Sequence, residues 1–295
     1  MNKYKGISAT LVVMLLWGLL FPLIKLGMSE LGISSMGEIL TFAGIRFTIC
    51  GLIITVFVFF KDKCLFTNVK NSIIPILLSG LFAIILHYGF TYIGLSMTDG
   101  SKTAIIKQFG AVFYICFTGL FFPEDKLTSK KIAGLVLGIG GILAINLNSD
   151  GIAFHLGDLL IIAASFCTVF SNVISKKALK TVDPIVLTGI SEIFGGIMLT
   201  SFGLILGADI KAVIPKTVDG ALVFTAIITA SIISYCLWFT VVKKENLSKL
   251  FIIKFSEPLF AAIFGLLLLG ENIFRLQYLF AFILISLGIA IANKV

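Results

Sequence analysis

Arg46, Lys107, Glu192, Lys254 and Glu257 lie deep inside long apolar stretches of the sequence, and Lys25 lies near the end of another. A charge at the centre of a bilayer costs at least about 2.5–3.5 kcal/mol, so each needs a partner, water or a task. Lys254 and Glu257 are three residues apart, share a helix face and can neutralise one another. Pro258 follows directly and removes a backbone N–H, which frees a carbonyl one turn earlier. An ammonium, a carboxylate and a free carbonyl at one place could bind a zwitterion or carry a proton. The alternative is a structural ion pair with a packing kink. Lys107 sits about one turn inside its own stretch, either lining a polar pathway or snorkelling to the surface along its stem. Arg46 and Glu192 could form a structural salt bridge, or Glu192 could carry a coupling proton. Lys25 is expected to snorkel.

The aromatic and His residues widen the candidate set. Trp17, His87, Tyr88, Tyr92, Tyr235 and Trp238 fall in apolar stretches, where they either line a cavity or mark membrane interfaces. His87 serves either as a hydrogen-bonded packing residue or as a proton relay. Pro22 and Pro258 are candidate hinges. With only His87 and His155, and five Cys far apart, there is no metal, haem or disulfide pattern. No Walker loop is present, so ATP would not drive the chemistry directly. No cofactor is expected.

These residues have to be positioned by elements, and the composition names the kind. Of 295 residues, 58% are hydrophobic and 13% charged, against about 25% charged in an ordinary soluble domain. The apolar excess runs the whole length, which a soluble fold could not bury. The net charge of +8 could suggest nucleic acid, but the basic residues are scattered through short gaps, so membrane orientation is the better reading.

An all-α integral membrane protein follows. A crossing helix needs about 20 residues, and ten stretches qualify: 7–28, 39–60, 73–95, 103–122, 132–147, 157–176, 185–206, 221–242, 250–269 and 276–293. The first is too long for a signal-peptide core and lacks a small-residue cleavage site. Continuous rather than alternating apolarity excludes a β-barrel. With the N-terminus inside, fifteen Lys fall on the cytoplasmic side and four Lys/Arg outside, which predicts a multi-pass cell-membrane protein with both termini cytoplasmic. No gap could hold a soluble domain.

Sliding the chain by 147 residues aligns its halves from about 83 to 146. Ser101-Lys102-x-x-Ile105-Ile106-Lys107 falls on Ser248-Lys249-x-x-Ile252-Ile253-Lys254, Tyr88 on Tyr235, and Glu124 on Glu271. Lys25 corresponds more loosely to Lys176, and Glu192 to roughly the position of Arg46. The predicted units are 1–147 and 148–295. Five spans per copy is an odd number, so the second copy enters the membrane inverted. That is the arrangement of many secondary transporters, with a substrate site near the midplane between the copies. Gly134-x-x-x-Gly138 would allow close helix packing within the protomer.

Several features now carry a resemblance: Trp17-Gly18…Pro22…Lys25, Arg46, Glu124, Glu271 and Pro258-Leu259-Phe260. Together they resemble the EamA-type branch of the drug/metabolite transporter superfamily. The chain departs from that pattern at Ala111, where Pro is expected, and at Lys107 and Lys254. The resemblance implies movement of a small metabolite or amino acid, often outward, and a cavity lined by spans one, three and eight. The expected partners are a small-molecule substrate, the lipid bilayer and, if transport is coupled, protons. No nucleic acid is expected, and the protein would be a monomer or homodimer. The intramembrane Lys and Glu residues with aromatics suit an amino acid or related zwitterion. The alternatives are a drug-like or lipid-linked cargo, disfavoured for cations because basic residues outnumber acidic ones, and a membrane enzyme.

Overall fold

The computed structural model describes residues 3–95, 97, 106–145, 156–270 and 276–293, and no strand occurs among them. Its helices are α1 (Lys3–Leu31), α2 (Met36–Lys61), α3 (Val69–Gly80), α4 (His87–Leu95), α5 (Phe109–Phe121), α6 (Ser129–Ile145), α7 (Leu156–Ala178), α8 (Pro184–Ile205), α9 (Val218–Lys244), α10 (Leu247–Lys254), α11 (Glu257–Leu269) and α12 (Leu276–Asn293). Seven stretches are long and apolar enough to cross a membrane, and Phe109–Phe121 and Leu279–Ala292 are shorter apolar helices. Each of the ten stretches marked in the sequence overlaps a helix among the described residues. Lys102, His155, Glu271 and Arg275 lie outside the described residues, as do residues 99 and 294.

Local chemistry sets the helix ends. Ser35 opens α2 with a capping box: its hydroxyl accepts from the Glu38 N–H, while its own N–H donates to the Glu38 carboxylate (3.1 Å). Asp183 caps α8, with Pro184 at the first helical position. At the far end of α11, Gly270 takes a φ of 67°, the left-handed conformation that closes a helix with no Cβ penalty.

Small residues decide which helices touch. Gly37, Gly44 and Gly51 on α2 meet Gly203, Gly196 and Gly189 on α8 in antiparallel register. A Cβ on Gly44 would sit 2.7 Å from the Gly196 carbonyl oxygen, and one on Gly51 would sit 2.6 Å from the Gly189 oxygen. In lipid there is little hydrophobic drive between helices, so this backbone approach supplies the packing. A second contact brings α6 onto α12, where a Cβ on Gly134 would be 2.7 Å from the Ala292 Cβ. On Gly138 it would strike the Phe255 ring. Both glycines therefore serve packing within the protomer.

The remaining pairings cross the chain. Helix α1 packs on α9 and α11, and α7 packs on α3, α4 and α5. At one end the bundle is tied together by polar contacts. Lys176 Nζ donates to the Val242 (2.8 Å) and Glu245 (2.6 Å) carbonyls, and Asn68 donates to the Thr181 carbonyl (3.0 Å). Asp125 accepts from Lys131 Nζ (2.5 Å) and from the Ser248 hydroxyl (2.6 Å) and N–H (3.1 Å).

Candidate functional site

A broken helix, a turn and one π-helical stretch shape the centre of the bundle. Helix α10 stops at Lys254 and α11 restarts at Glu257, with Phe255 and Ser256 held by shorter-range bonds to Ile252 and Ile253. Pro258, which lacks an N–H, stands at the restart, so the break falls where the sequence places the missing donor. In the first half, Lys107 and Gln108 are a turn, and α5 begins at Phe109. No Pro is needed there, which explains how Ala111 is tolerated. Leu81–Leu86 is a π-helical stretch between α3 and α4, a form frequent at functional sites. Helix α1, by contrast, runs unbroken through Pro22.

Around these elements lies a cavity of about 1310 Å³. Its wall includes Trp17, Pro22, Lys25, Arg46, His87, Tyr88, Tyr92, Lys107, Tyr235, Trp238, Lys254, Glu257 and Pro258. Glu192 is not on the wall. Lys25 is among the lining residues and is itself exposed. The cavity reaches Met28, Ser34, Met36 and Leu269, at the bundle end opposite the polar ties.

Tyr88 and Tyr235, the pair matched by the 147-residue shift, touch hydroxyl to hydroxyl at 2.9 Å. Trp17 stacks at a tilt on Tyr235 (5.7 Å) and on Trp238 (5.0 Å). His87 Nδ1 lies 3.0 Å from both the Ala164 carbonyl and the Thr168 hydroxyl. A carbonyl only accepts, so Nδ1 carries the proton and Nε2 is left as an acceptor. Trp238 Nε1 donates to Asn172 Oδ1 (2.8 Å), and the Asn172 amide donates to the Thr168 carbonyl (2.8 Å). Thr168 and Asn172 thus fix the orientation of two wall residues. The sequence reading passed them over because it followed charges and rings, although a polar Asn in an apolar run is itself a signal.

Among the described residues, Arg46, Lys107, Glu192, Lys254 and Glu257 form no ion pair with one another. Arg46 is 1% exposed, and its Nε and Nη2 have no hydrogen-bond partner. Its guanidinium instead lies over Phe47 (4.2 Å) and Tyr88 (5.6 Å). Both Glu192 oxygens are likewise buried and unpartnered, so Arg46 and Glu192 make no direct salt bridge. Glu257 Oε2 is buried without a partner. Lys254 Nζ lies 5.3 Å from the Trp17 ring and Lys107 Nζ 5.7 Å from Phe21. Cation–π contact of this kind is worth about 0.5–2 kcal/mol and leaves the ammonium hydrogens free for a ligand. Among the described residues no group of three or more His, Cys, Asp or Glu could hold a metal ion.

The fold and site define a multi-pass membrane protein built around a cavity lined by aromatic and charged side chains. The EamA-like transporter family model matches the chain twice, over residues 4–147 and 155–294, and the chain belongs to that family. It is 28% identical to "Uncharacterized transporter YoaV" of Bacillus subtilis, over 94% of this chain and 92% of that protein. It is 26% identical to a "Probable amino-acid metabolite efflux pump" of Escherichia coli, over 99% of this chain and 95% of that protein. A solved structure titled "Crystal structure of protein" superposes with a TM-score of 0.79 at 17% identity, covering 98% of this chain and 96% of that one. The family and these relatives are transporters rather than enzymes.

Proposed function

We propose that the chain is a secondary carrier that exports an amino acid or related zwitterion across the cell membrane by alternating access. The observation that carries this reading is the cavity, where Lys107 and Lys254, equivalent in the two halves, both line the wall and each stands beside a turn that precedes a helix. Discontinuous helices at the midplane place half-helix ends and freed backbone groups beside a substrate. The Tyr88–Tyr235 contact, between residues 147 apart, suits a pseudo-two-fold axis through the site. The pairing of α1 with α9 and α11, mirrored by α7 with α3, α4 and α5, suits ten spans in two inverted five-helix repeats divided near 147. Two relatives carry names that include amino-acid metabolite efflux.

In this reading the carrier serves as a monomer or homodimer with both termini in the cytoplasm. The Lys-rich end is then cytoplasmic and tied shut, and the cavity faces outward. The ammonium and carboxylate groups of the wall receive the complementary ends of the zwitterion, and the rings enclose its body. Purified protein in liposomes, loaded with one amino acid and offered a labelled second, tests this. Exchange that disappears in Lys107→Met or Lys254→Met supports it. Absence of exchange for any amino acid, nucleoside or sugar phosphate refutes it.

A further inference from the structure

We propose that the cavity selects an acidic cargo, a metabolite with two carboxylates, such as an acidic amino acid. This rests on the carrier reading and deepens it by naming the substrate class. Arg46, Lys107 and Lys254 line the wall, against one carboxylate there, Glu257. Counting Glu192, buried behind the wall, the basic groups still outnumber the acidic ones. A neutral zwitterion enters with equal and opposite charges and leaves that excess in place. A second carboxylate on the cargo lowers it, by one charge for an acidic amino acid and by two for a dicarboxylate without an amino group, and in a low-dielectric site each compensated charge counts strongly.

Geometry agrees with the arithmetic of charge. Arg46 is 1% exposed and on the wall, its buried Nε and Nη2 have no partner in the protein, and a guanidinium is a planar fork suited to a carboxylate. Its guanidinium lies over the Phe47 and Tyr88 rings, and the buried Glu192 carboxylate makes no hydrogen bond to it. Lys107 and Lys254 are separate cationic points, each over an aromatic ring and, among the described residues, ion-paired with no carboxylate. Two anionic groups can therefore be held apart, one at the guanidinium and one at the lysines. Glu257, the one carboxylate on the wall, accepts from the amino group of the same ligand.

The chain has two Trp residues, Trp17 and Trp238, and both stand on this wall. Intrinsic fluorescence is therefore a reporter of this cavity in the purified full-length protein. Titration with L-glutamate against L-glutamine, and with succinate against succinamide, compares acids with near-isosteric amides. The acids are expected to bind at least about tenfold more tightly than their amides, with the preference falling in Lys107→Met and Lys254→Met. Arg46→Gln should remove it, and the two lysine variants keep the test intact if Arg46→Gln does not fold. Equal response to acids and amides, or silence from both acids at millimolar concentration, overturns the proposal. Exchange of neutral amino acids alone would overturn it and leave the carrier reading standing. Acid binding with no exchange of any cargo would overturn the carrier reading instead.

Discussion

Asp125→Asn should be the most destabilising single-atom-scale change at the tied end of the bundle. Asp125 is 2% exposed and Lys131 5% exposed, and they are joined at 2.5 Å. The same carboxylate accepts from the Ser248 hydroxyl and N–H, and from the Tyr114 hydroxyl at 3.3 Å. It therefore links the segment between α5 and α6 to the start of α10. An amide keeps the shape but loses the charge, leaving Lys131 buried and uncompensated, which costs about 3–5 kcal/mol. At roughly 2–4 °C per kcal/mol the unfolding midpoint should fall by roughly 6–20 °C. Burial alone would raise the Asp125 pKa, but hydrogen bonds from Lys131 and Ser248 and the adjacent ammonium outweigh it and hold it below its usual 3.8. A depressed carboxylate contributes its stability above the unfolded pKa and loses it as pH falls through the folded one. The Asp125 contribution should thus be constant from about pH 5 to 8 and vanish only below about 4. Thermal unfolding followed by Trp fluorescence measures it. Asp125→Asn/Lys131→Met should recover part of the loss, because the stranded cation is gone. A single variant within 1 °C of the parent, or a double variant worse than the sum of its singles, would refute the reasoning.

Three further outcomes are expected. Gly196→Leu should cost on the order of 1–3 kcal/mol or more, since its Cβ would lie 2.4 Å from the Thr48 backbone nitrogen; Gly89→Ala, with open space around it, should be neutral in the same unfolding assay. Glu257→Gln should keep substrate exchange in proteoliposomes but abolish acceleration by a pH gradient, because it cannot take up a proton; wild-type flux indifferent to gradients of either sign would end the coupling idea. On a Cys-free background, Lys211→Cys should react with an impermeant thiol reagent added outside intact cells and a restored Cys64 should not; the reverse pattern would invert the topology.

The site was more legible than the packing around it. The 147-residue repeat ties Lys107 to Lys254 and Tyr88 to Tyr235, and these residues line one cavity because the repeat is gapless through that stretch. The register elsewhere was not legible from charges. The glycines of α2 and α8 correspond at a shift of 152, so Arg46 corresponds to Met198 and Glu192 to Leu40. The antiparallel glycine contact brings Arg46 and Glu192 to a similar level. The turn at Gln108 carries no Pro to announce it. Pro22 announces a break that does not form, since a helix tolerates a missing bond where its neighbours pack closely: a Cβ on Gly18 would sit 2.5 Å from the Phe260 Cβ. Thr168 and Asn172 act through His87 and Trp238, a role that depends on tertiary contact and has no local signature.

Alternating access itself is most directly tested at Ala262, a small residue on the cavity wall. With Ala262→Cys as the sole cysteine, an impermeant thiol reagent is applied to right-side-out and to inverted membrane vesicles, with and without cargo. The account predicts modification from both sides, with cargo shifting the ratio between them and no leak of reagent through the protein. Modification from one face alone, unchanged by any cargo, would contradict it and make the cavity a static pocket.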